Sequence, residues 1–421
     1  MKPIKIIVAF LTTICFTAYP QSHDRNVQEI DFKTFLELTL SNNFDYLIEK
    51  FEVSIADAAL QASKVFQNPE LEIILPRFVD EEFADMPRNI AFEMEIPVEL
   101  FGKRKNRIRQ ARAEKFAAEA NLEGFLHELR MDVATVFTSA IAKQLVIDRM
   151  NTTLQQLNQL IQINQTLFEA GEIGEIEVLQ TRLEARNFET ELFGEQEEMA
   201  EIMADFYYLI GGIPAKSIVF TGNIEAIYPV KNYNELKEHA LIHSDHILAA
   251  KFEEKAAFYN MKLARSERYP DIAIIAGYHN DEAIRPAPGL RYSYVGVRIP
   301  LQFSGLNRGA YRQGLYQYEQ SKLAFQSATF QVENELRTAW ELHRIMLQKR
   351  TLFSEEILKD SERVREAILY SYQRGEASLL ELIEAQRTSN ETFLNYYNTL
   401  ANYKLSLIEL SRSAYLWMLD M

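Results

Sequence analysis

Cysteine is all but missing from this chain. Its one copy, Cys15, lies in an apolar run at 6–16 that follows Lys2 and Lys5. That pattern predicts a signal peptide over residues 1–21, cut near Ala18 to Gln21. Lipid attachment to Cys15 is the lesser reading, because bulky Ile14 precedes it. Removal of the leader leaves no thiol, which excludes disulfides and thiolate metal sites. Beyond residue 16 no stretch approaches 18 consecutive apolar residues, so no membrane-spanning helix is expected. Catalytic signatures are missing too: no Gly-rich phosphate loop, no nucleophile elbow, no His-Glu-x-x-His. The chain reads as a non-enzyme without a cofactor. Positive charge is in short supply, with 45 Lys and Arg against 60 Asp and Glu, a net charge of −15. This argues against a nucleic-acid partner and suits a surface or pore that handles cations.

What the chain does have is repetition. Ile96-Pro97-Val98-Glu99-Leu100-Phe101-Gly102 returns as Ile299-Pro300-Leu301-Gln302-Phe303-Ser304-Gly305, 203 positions later. Asn68-Pro69-Glu70-Leu71 returns as Tyr269-Pro270-Asp271-Ile272, 201 later. Ala170-Gly171-Glu172 with Glu177 returns as Arg374-Gly375-Glu376 with Glu381, 204 later. Three anchors in one order at nearly one offset mean a duplicated unit. The expected division is a first repeat over 22–214, a connecting segment over 215–231 and a second repeat over 232–421.

Gly and Pro are scarce in 105–169 and again in 313–374, where apolar positions recur at helical spacing. Each window predicts one helix roughly 90 Å long at 1.5 Å per residue. Each stops at a glycine, Gly171 or Gly375, and the chain then runs back, to 210–214 and to about Leu416. Each half therefore holds a long helical hairpin. Shorter helices are expected at 45–65 and 245–266. Strand signals lie at 70–75, 89–98, 271–278 and 293–301, forming hairpins at about 70–98 and 271–301, with 77–88 and 280–290 as loops and 218–230 extended.

In the second strand Ile90, Phe92, Met94, Ile96 and Val98 alternate with Ala91, Glu93 and Glu95. In the fourth, Val295, Val297, Ile299 and Leu301 alternate with Tyr294, Gly296 and Arg298. Such strands fit a membrane barrel, with the apolar set toward lipid and Glu93, Glu95 and Arg298 toward the lumen. They equally fit a small soluble sheet with one wet face. Four strands cannot close a membrane barrel, whose smallest versions have about eight, so membranous strands require several copies to share one.

Taken together, the pieces resemble the TolC family of outer-membrane efflux channels. The stretches that carry the resemblance are Glu99-Leu100-Phe101-Gly102-Lys103-Arg104, Ala170-Gly171-Glu172 with Glu177-Val178-Leu179-Gln180, Arg268-Tyr269-Pro270-Asp271, and Gln373-Arg374-Gly375-Glu376 with Leu382-Ile383-Glu384-Ala385-Gln386-Arg387. The implied fold is mainly α with membrane β-strands. Duplicated helical hairpins form a trimeric tunnel, and four strands per chain contribute to a shared twelve-stranded β-barrel. The implied place is the outer membrane, among its lipids and reaching into the periplasm. The implied partners are two further copies, a periplasmic adaptor protein and an inner-membrane pump of the RND type. The Glu-Leu-Phe-Gly-Lys-Arg stretch resembles the subgroup that exports heavy-metal cations. The competing readings are a periplasmic coiled-coil scaffold or adaptor, and the outer-membrane channel of a type I protein secretion system.

The resemblance also implies a gate at the periplasmic tip. It places Glu381 and Glu384 of the second repeat, and Glu177 and Gln180 of the first, at the pore. Tyr372 would bond Glu177 and hold the hairpins shut. The family's arginine two residues after the second glycine is replaced here by Ala377. Three-fold symmetry would turn each glutamate into a ring that attracts cations and raises its members' pKa values. The bland alternative is that these are solvated helix residues. Ala170, Gly171, Glu172, Arg374, Gly375 and Glu376, at the two tips, are expected to receive the adaptor through exposed helix-end backbone. His239, His243 and His246 share one helix face at metal-ligand spacing, but their place beside a helix–turn–helix favours plain turn residues, and no metal site is assigned.

Overall fold

A computed structural model describes residues 27–75, 90–281, 290–301, 307–353 and 355–419. The expected signal peptide, Cys15, the 77–88 loop, most of the 280–290 loop and the Gln302 to Gly305 part of the repeat lie outside the described residues.

Two short helices open each half. In the first half α1 spans Phe32–Asn42 and α2 spans Phe44–Ser63. The chain breaks between them at Asn43, whose side chain accepts from the Tyr46 N–H at 2.9 Å and donates to the Leu209 carbonyl at 3.1 Å. In the second half α5, Tyr233–His243, and α6, Asp245–Ser266, break at Ser244, which caps Ile247 at 3.2 Å. Both breaks follow from a side-chain oxygen satisfying a free N–H of the next helix.

Each helix pair leads into a strand hairpin. Strand β2 is Glu70–Ile74, β3 is Ile90–Val98, β5 is Ile272–Asp281 and β6 is Leu290–Arg298. They form one antiparallel sheet in the order β2-β3-β5-β6. Register puts Ile73 beside Phe92 and Tyr278, and Leu71 beside Met94 and Ala276, so one face is almost wholly apolar. Glu93, Glu95, Tyr294 and Arg298 share the other, where Arg298 pairs with both glutamates and Tyr294 donates to Glu93 at 2.5 Å. The expected alternation therefore puts its two residue sets on opposite faces. Two positions depart from it: β6 ends at Arg298, leaving Ile299 and Leu301 beyond the strand on either side of Pro300, which has no N–H to pair. A second pairing was not read from sequence. Strand β1, Val27–Ile30, runs parallel to β4, Ser217–Phe220.

The long helices follow the strands. Helix α3 runs unbroken over Lys103–Glu169, 67 residues, and α4 returns over Glu175–Leu209. The second half differs from expectation: its long helix is two, α7 at Arg308–Leu352 and α8 at Glu355–Gln373, before α9 returns over Leu379–Ala414. The interruption is at Phe353, with φ −95° and ψ 90°. Phe353 turns toward the main core, with Leu358 beside it, and Arg350 just before it bonds the Glu225 carbonyl and lies over the Tyr403 ring. The packing of one aromatic outweighs continuity of the helix, and no Gly or Pro announces it.

Helices stack side by side in the order α2, α3, α6, α7. Alanines make close packing feasible: Ala111, Ala113, Ala117 and Ala120 on α3 and Ala249, Ala250 and Ala256 on α6 are buried. The main core sits at mid-length, where Phe35, Phe206 and Phe220 meet edge to face.

The two junctions between sheet and helices hold each other. Phe101 and Gly102 both take positive φ, 57° and 73°, to turn β3 into α3. Lys103 then reaches Asp271 at 2.8 Å and the Tyr269 carbonyl at 2.7 Å. Asp271 also accepts from the Leu100 N–H at 2.9 Å, and Phe101 stacks on Tyr269. Two stretches singled out in sequence, one from each repeat, are thus the halves of one clasp.

Candidate functional site

Both hairpin tips are built by the same rule. At the first, Gly171 takes φ +74° and the N–H groups of Gly171 and Glu172 return to the carbonyls of Phe168 and Leu167. At the second, Gly375 takes φ +73° and Gly375 and Glu376 bond Tyr372 and Ser371 in the same way. A left-handed residue closing a helix end favours glycine, which explains both positions. The following helices start just as regularly. Glu177 accepts from the Gly174 N–H at 2.7 Å, and Glu381 accepts from the Ser378 N–H at 2.7 Å.

These contacts account for the carboxylate six residues after each glycine: it is the third residue of a helix and folds back onto the cap. Bonding from Ser378 holds the Glu381 carboxyl below its ordinary pKa. At the tips Ala170, Glu172, Arg374 and Glu376 present exposed side chains, Arg374 over the Tyr370 ring and 3.9 Å from Glu376.

Above the tips a polar seam joins the hairpins. Tyr372 on α8 donates to Asn164 Oδ1 on α3 at 2.9 Å. Asn164 passes an N–H to Thr181 Oγ1 on α4 at 2.7 Å, and Thr181 donates to the Glu177 carbonyl at 2.9 Å. Asn164 and Thr181 are wholly buried. The expected Tyr372–Glu177 bond is therefore replaced by Tyr372–Asn164. The Glu177 carboxylate is occupied at its own helix cap, and reaches Tyr372 only through its charge. Burial, then that charge, push the Tyr372 hydroxyl pKa up and keep it a donor.

Farther along, Arg387 grips Glu184 through both Nε and Nη2, and Arg149 reaches Glu362 at 3.1 Å. Glu362 also meets Arg365 at 2.7 Å and Ser389 at 3.2 Å. Sequence reading missed Asn164, Thr181, Glu184 and Glu362. An asparagine on a buried helix face was the available signal for Asn164, since such a group needs partners.

Of the expected pore residues, Glu381 and Glu384 come together. They are exposed on α9 and line a groove of about 520 Å³ with Ile357, Asp360, Val364 and Ile368. Gln180 is exposed on the other hairpin and Glu177 half-buried there, so the four do not form one cluster within a chain. His239 and His243 stack at 4.1 Å, and their Nδ1 atoms contact the carbonyls of Ala414 and His239. Among the described residues no group of three or more His, Cys, Asp or Glu is placed to hold a metal ion. No described helix is long and apolar enough to cross a membrane.

A family model described as outer membrane efflux protein matches residues 85–212 and 236–414. The chain belongs to that family. Efflux in the outer membrane, rather than catalysis or scaffolding of the periplasm, is its work. The cobalt-zinc-cadmium resistance protein CzcC of Cupriavidus metallidurans is 23% identical over 366 residues, 87% of this chain and 85% of the relative. A structure of CusC, described as forming a transmembrane channel, superposes with a TM-score of 0.75 at 18% identity, covering 91% of both chains. The CmeC outer-membrane channel of Campylobacter jejuni gives 0.75 at 14% identity, over 91% of this chain and 85% of that one. These likenesses are of fold: a helical tunnel body with barrel strands.

Proposed function

We propose that three copies of this outer membrane efflux protein close into one passive duct. Each chain would contribute four strands to a twelve-stranded barrel and its helices to a tunnel. The observation that carries this reading is that sheet and helix layer stay open at matching edges. The sheet ends in β2 and β6, and the helix layer in α2 and α7. Unpaired strand edges are untenable in hydrocarbon, so β6 must meet β2 of the next copy. The same rotation brings α7 to the neighbour's α2. Those helices carry exposed apolar stripes, Phe44, Ile48, Phe51 and Ile55 on α2, and Tyr316, Leu323 and Phe330 on α7. The apolar face of the sheet then meets lipid, and Glu93, Glu95 and Arg298 line the lumen.

The cargo in this reading is a divalent metal cation. CzcC is named for resistance to such metals, and the net charge of −15 suits their passage. At the periplasmic end, Glu177, Gln180, Glu381 and Glu384 recur three times and make the entrance negative. Tyr372 holds the hairpins together there through Asn164. The tips, Ala170-Gly171-Glu172 and Arg374-Gly375-Glu376, receive a periplasmic adaptor, which couples the duct to an inner-membrane pump of the RND type. The exposed side chains of these tips are what the adaptor would read. The repeats 22–214 and 232–421, joined by 215–231 and preceded by a cleaved leader over 1–21, are the units of this assembly.

The test is a deletion strain and the purified protein. Loss of the gene should sensitise cells to cobalt, zinc or cadmium, and the protein should sediment as a trimer from outer membranes. Unchanged metal tolerance beside a newly gained drug sensitivity would reassign the cargo. A monomer in the outer-membrane fraction would end the shared-barrel reading.

A further inference from the structure

Charge is not spread evenly over this chain. Residues 103–113, 255–266 and 308–318 hold eleven Lys or Arg and no Asp or Glu, in a chain whose net charge is −15. Acids return just after each window, at Glu114, Glu267 and Glu319. The windows are the first turns of α3, the last turns of α6 and the first turns of α7. All three meet at the junction with the sheet. Helix α3 begins five residues after β3 ends, and Asn307 at the head of α7 donates to the Glu267 carbonyl at the foot of α6 at 3.1 Å. The pattern is duplicated as well, since Lys105 and Arg109 recur as Arg308 and Arg312, 203 positions later.

These four cations are exposed, and none makes an ion pair among the described residues. Two carboxylates at the junction are already engaged, Glu99 by Arg107 at 2.6 Å and Asp271 by Lys103 at 2.8 Å. Arg109 lies only over the Tyr259 ring, 5.5 Å from its centre.

The four also point away from the bore. Helical steps of three, four and seven residues lead down α3 from Lys105 and Arg109 through Phe116, Glu123, His127 and Arg130 to Ala134 and Phe137. Leu36 and Leu40 of α1 lie beside Glu123, His127 and Arg130, and Phe137 packs on Phe32 and Phe220. On α7, Glu333 meets Lys237 of α5 and stands 25 residues from Arg308, about seven turns and so on the same face. The short helices and the main core thus cover this side of the helix layer. A bore has to stay empty, so the covered side is the outside of the duct.

We infer that these cations form a collar that binds the phosphates of anionic glycerophospholipids in the periplasmic leaflet of the outer membrane. This rests on the lipid-facing sheet proposed above and adds a partner to it. The heights fit. Lys105 and Arg109 lie about 3 and 9 Å past the start of α3, and Arg312 about 6 Å past that of α7. A head-group layer is about 5–8 Å thick on each side of the hydrocarbon, and long cationic side chains reach toward it. Tyr269, exposed and stacked on Phe101, marks the same level with the amphipathic kind of ring that suits head groups. The rest of this acidic chain would be repelled by an anionic leaflet, and the collar reverses that sign where the leaflet is met.

The experiment uses the full-length protein in detergent, offered equal amounts of phosphatidylglycerol and phosphatidylcholine with the same acyl chains. Native mass spectrometry reads the ratio of the two lipids retained. The parent should favour phosphatidylglycerol about fivefold or more, the contribution of a single cation beside an anionic surface. Lys105→Gln, Arg109→Gln, Arg308→Gln and Arg312→Gln together should bring the ratio close to one. A control removes the same charge from exposed cations elsewhere on the helices, Arg186→Gln, Arg337→Gln, Arg344→Gln and Arg363→Gln, and should keep the preference. A parent that holds both lipids equally overturns the collar and leaves the lipid-facing sheet standing. So does a collar variant that keeps the parental ratio, or a control that loses it to the same extent. A parent that retains neither lipid overturns both. Inorganic phosphate that strips the phosphatidylglycerol at tenfold excess would reassign the cations to a free anion and overturn the lipid as their partner.

Discussion

Replacing Tyr372 by phenylalanine removes one oxygen from a buried chain of bonds. The Tyr372 hydroxyl is the donor to Asn164 Oδ1, and Asn164 has no solvent exposure. The lost partner leaves a buried carbonyl oxygen unsatisfied, which costs about 1–3 kcal/mol. In a symmetric trimer the loss occurs three times, about 3–9 kcal/mol if the copies open together. Shifting a two-state equilibrium from 1:99 to 99:1 takes about 5.5 kcal/mol, so the variant should sit in or near the open state. Single-channel recording in planar bilayers reads this as a higher resting conductance. Arg387→Ala is the comparison. It breaks a pair whose arginine is 59% exposed, and exposed pairs contribute about 0.2–1 kcal/mol. Tyr372→Phe should therefore open the duct more than Arg387→Ala. The reverse order, or a Tyr372→Phe channel that conducts like the parent, would show that burial does not set the weight of these links.

Three further outcomes follow from the geometry. Asp271→Asn strips the counterion from Lys103 across the two repeats and should lower stability by about 1.5–3 kcal/mol, seen as a lower unfolding temperature in detergent. Gly277→Ala would place a Cβ 2.4 Å from the Tyr294 ring, so the tyrosine must leave Glu93. The barrel should become less heat-resistant in gel-shift assays, and Tyr294→Ala in the same chain should restore it. Lys404 is buried against the Asn223 carbonyl, and burial, with Arg350 nearby, lowers its pKa from 10.5 to about 8. Below pH 8 the fold bears the whole cost of that buried charge, at most about 3 kcal/mol, and the cost fades as pH rises from 8 to 10.5. Lys404→Met should thus stabilise the protein at pH 7, with a gain that shrinks over that range in pH-dependent melts.

Much of the fold was legible because it is written in periodicity. The opposed faces of β3 and β6 follow from alternation, and the tips follow from Gly171 and Gly375, where positive φ leaves few alternatives. What sequence hid was decided by packing at a distance. Phe353 ends α7 for a place against a core whose members come from α1, α3, α4, β4 and α9. β1 and β4 pair although nearly 190 residues separate them, and four-residue strands carry little signal alone. The candidate site was half legible. Glu177 and Glu381 stood out by their shared offset, but that offset is the signature of a helix start: Ser378-Leu379-Leu380-Glu381 spells a capping box. Asn164, the residue that does connect the hairpins, looks like any polar residue of a long helix until its surroundings are known.

The interruption at Phe353 makes the duplicated halves mechanically unequal. The first hairpin hangs from an unbroken rod of 67 residues, stiff from the membrane junction to its tip. The second is made of two pieces, α7 ending at Leu352 and α8 beginning at Glu355. In the proposed trimer, three continuous rods would alternate with three interrupted ones. A threefold assembly would then carry six hairpins of two mechanical kinds, though one duplicated unit gave rise to both.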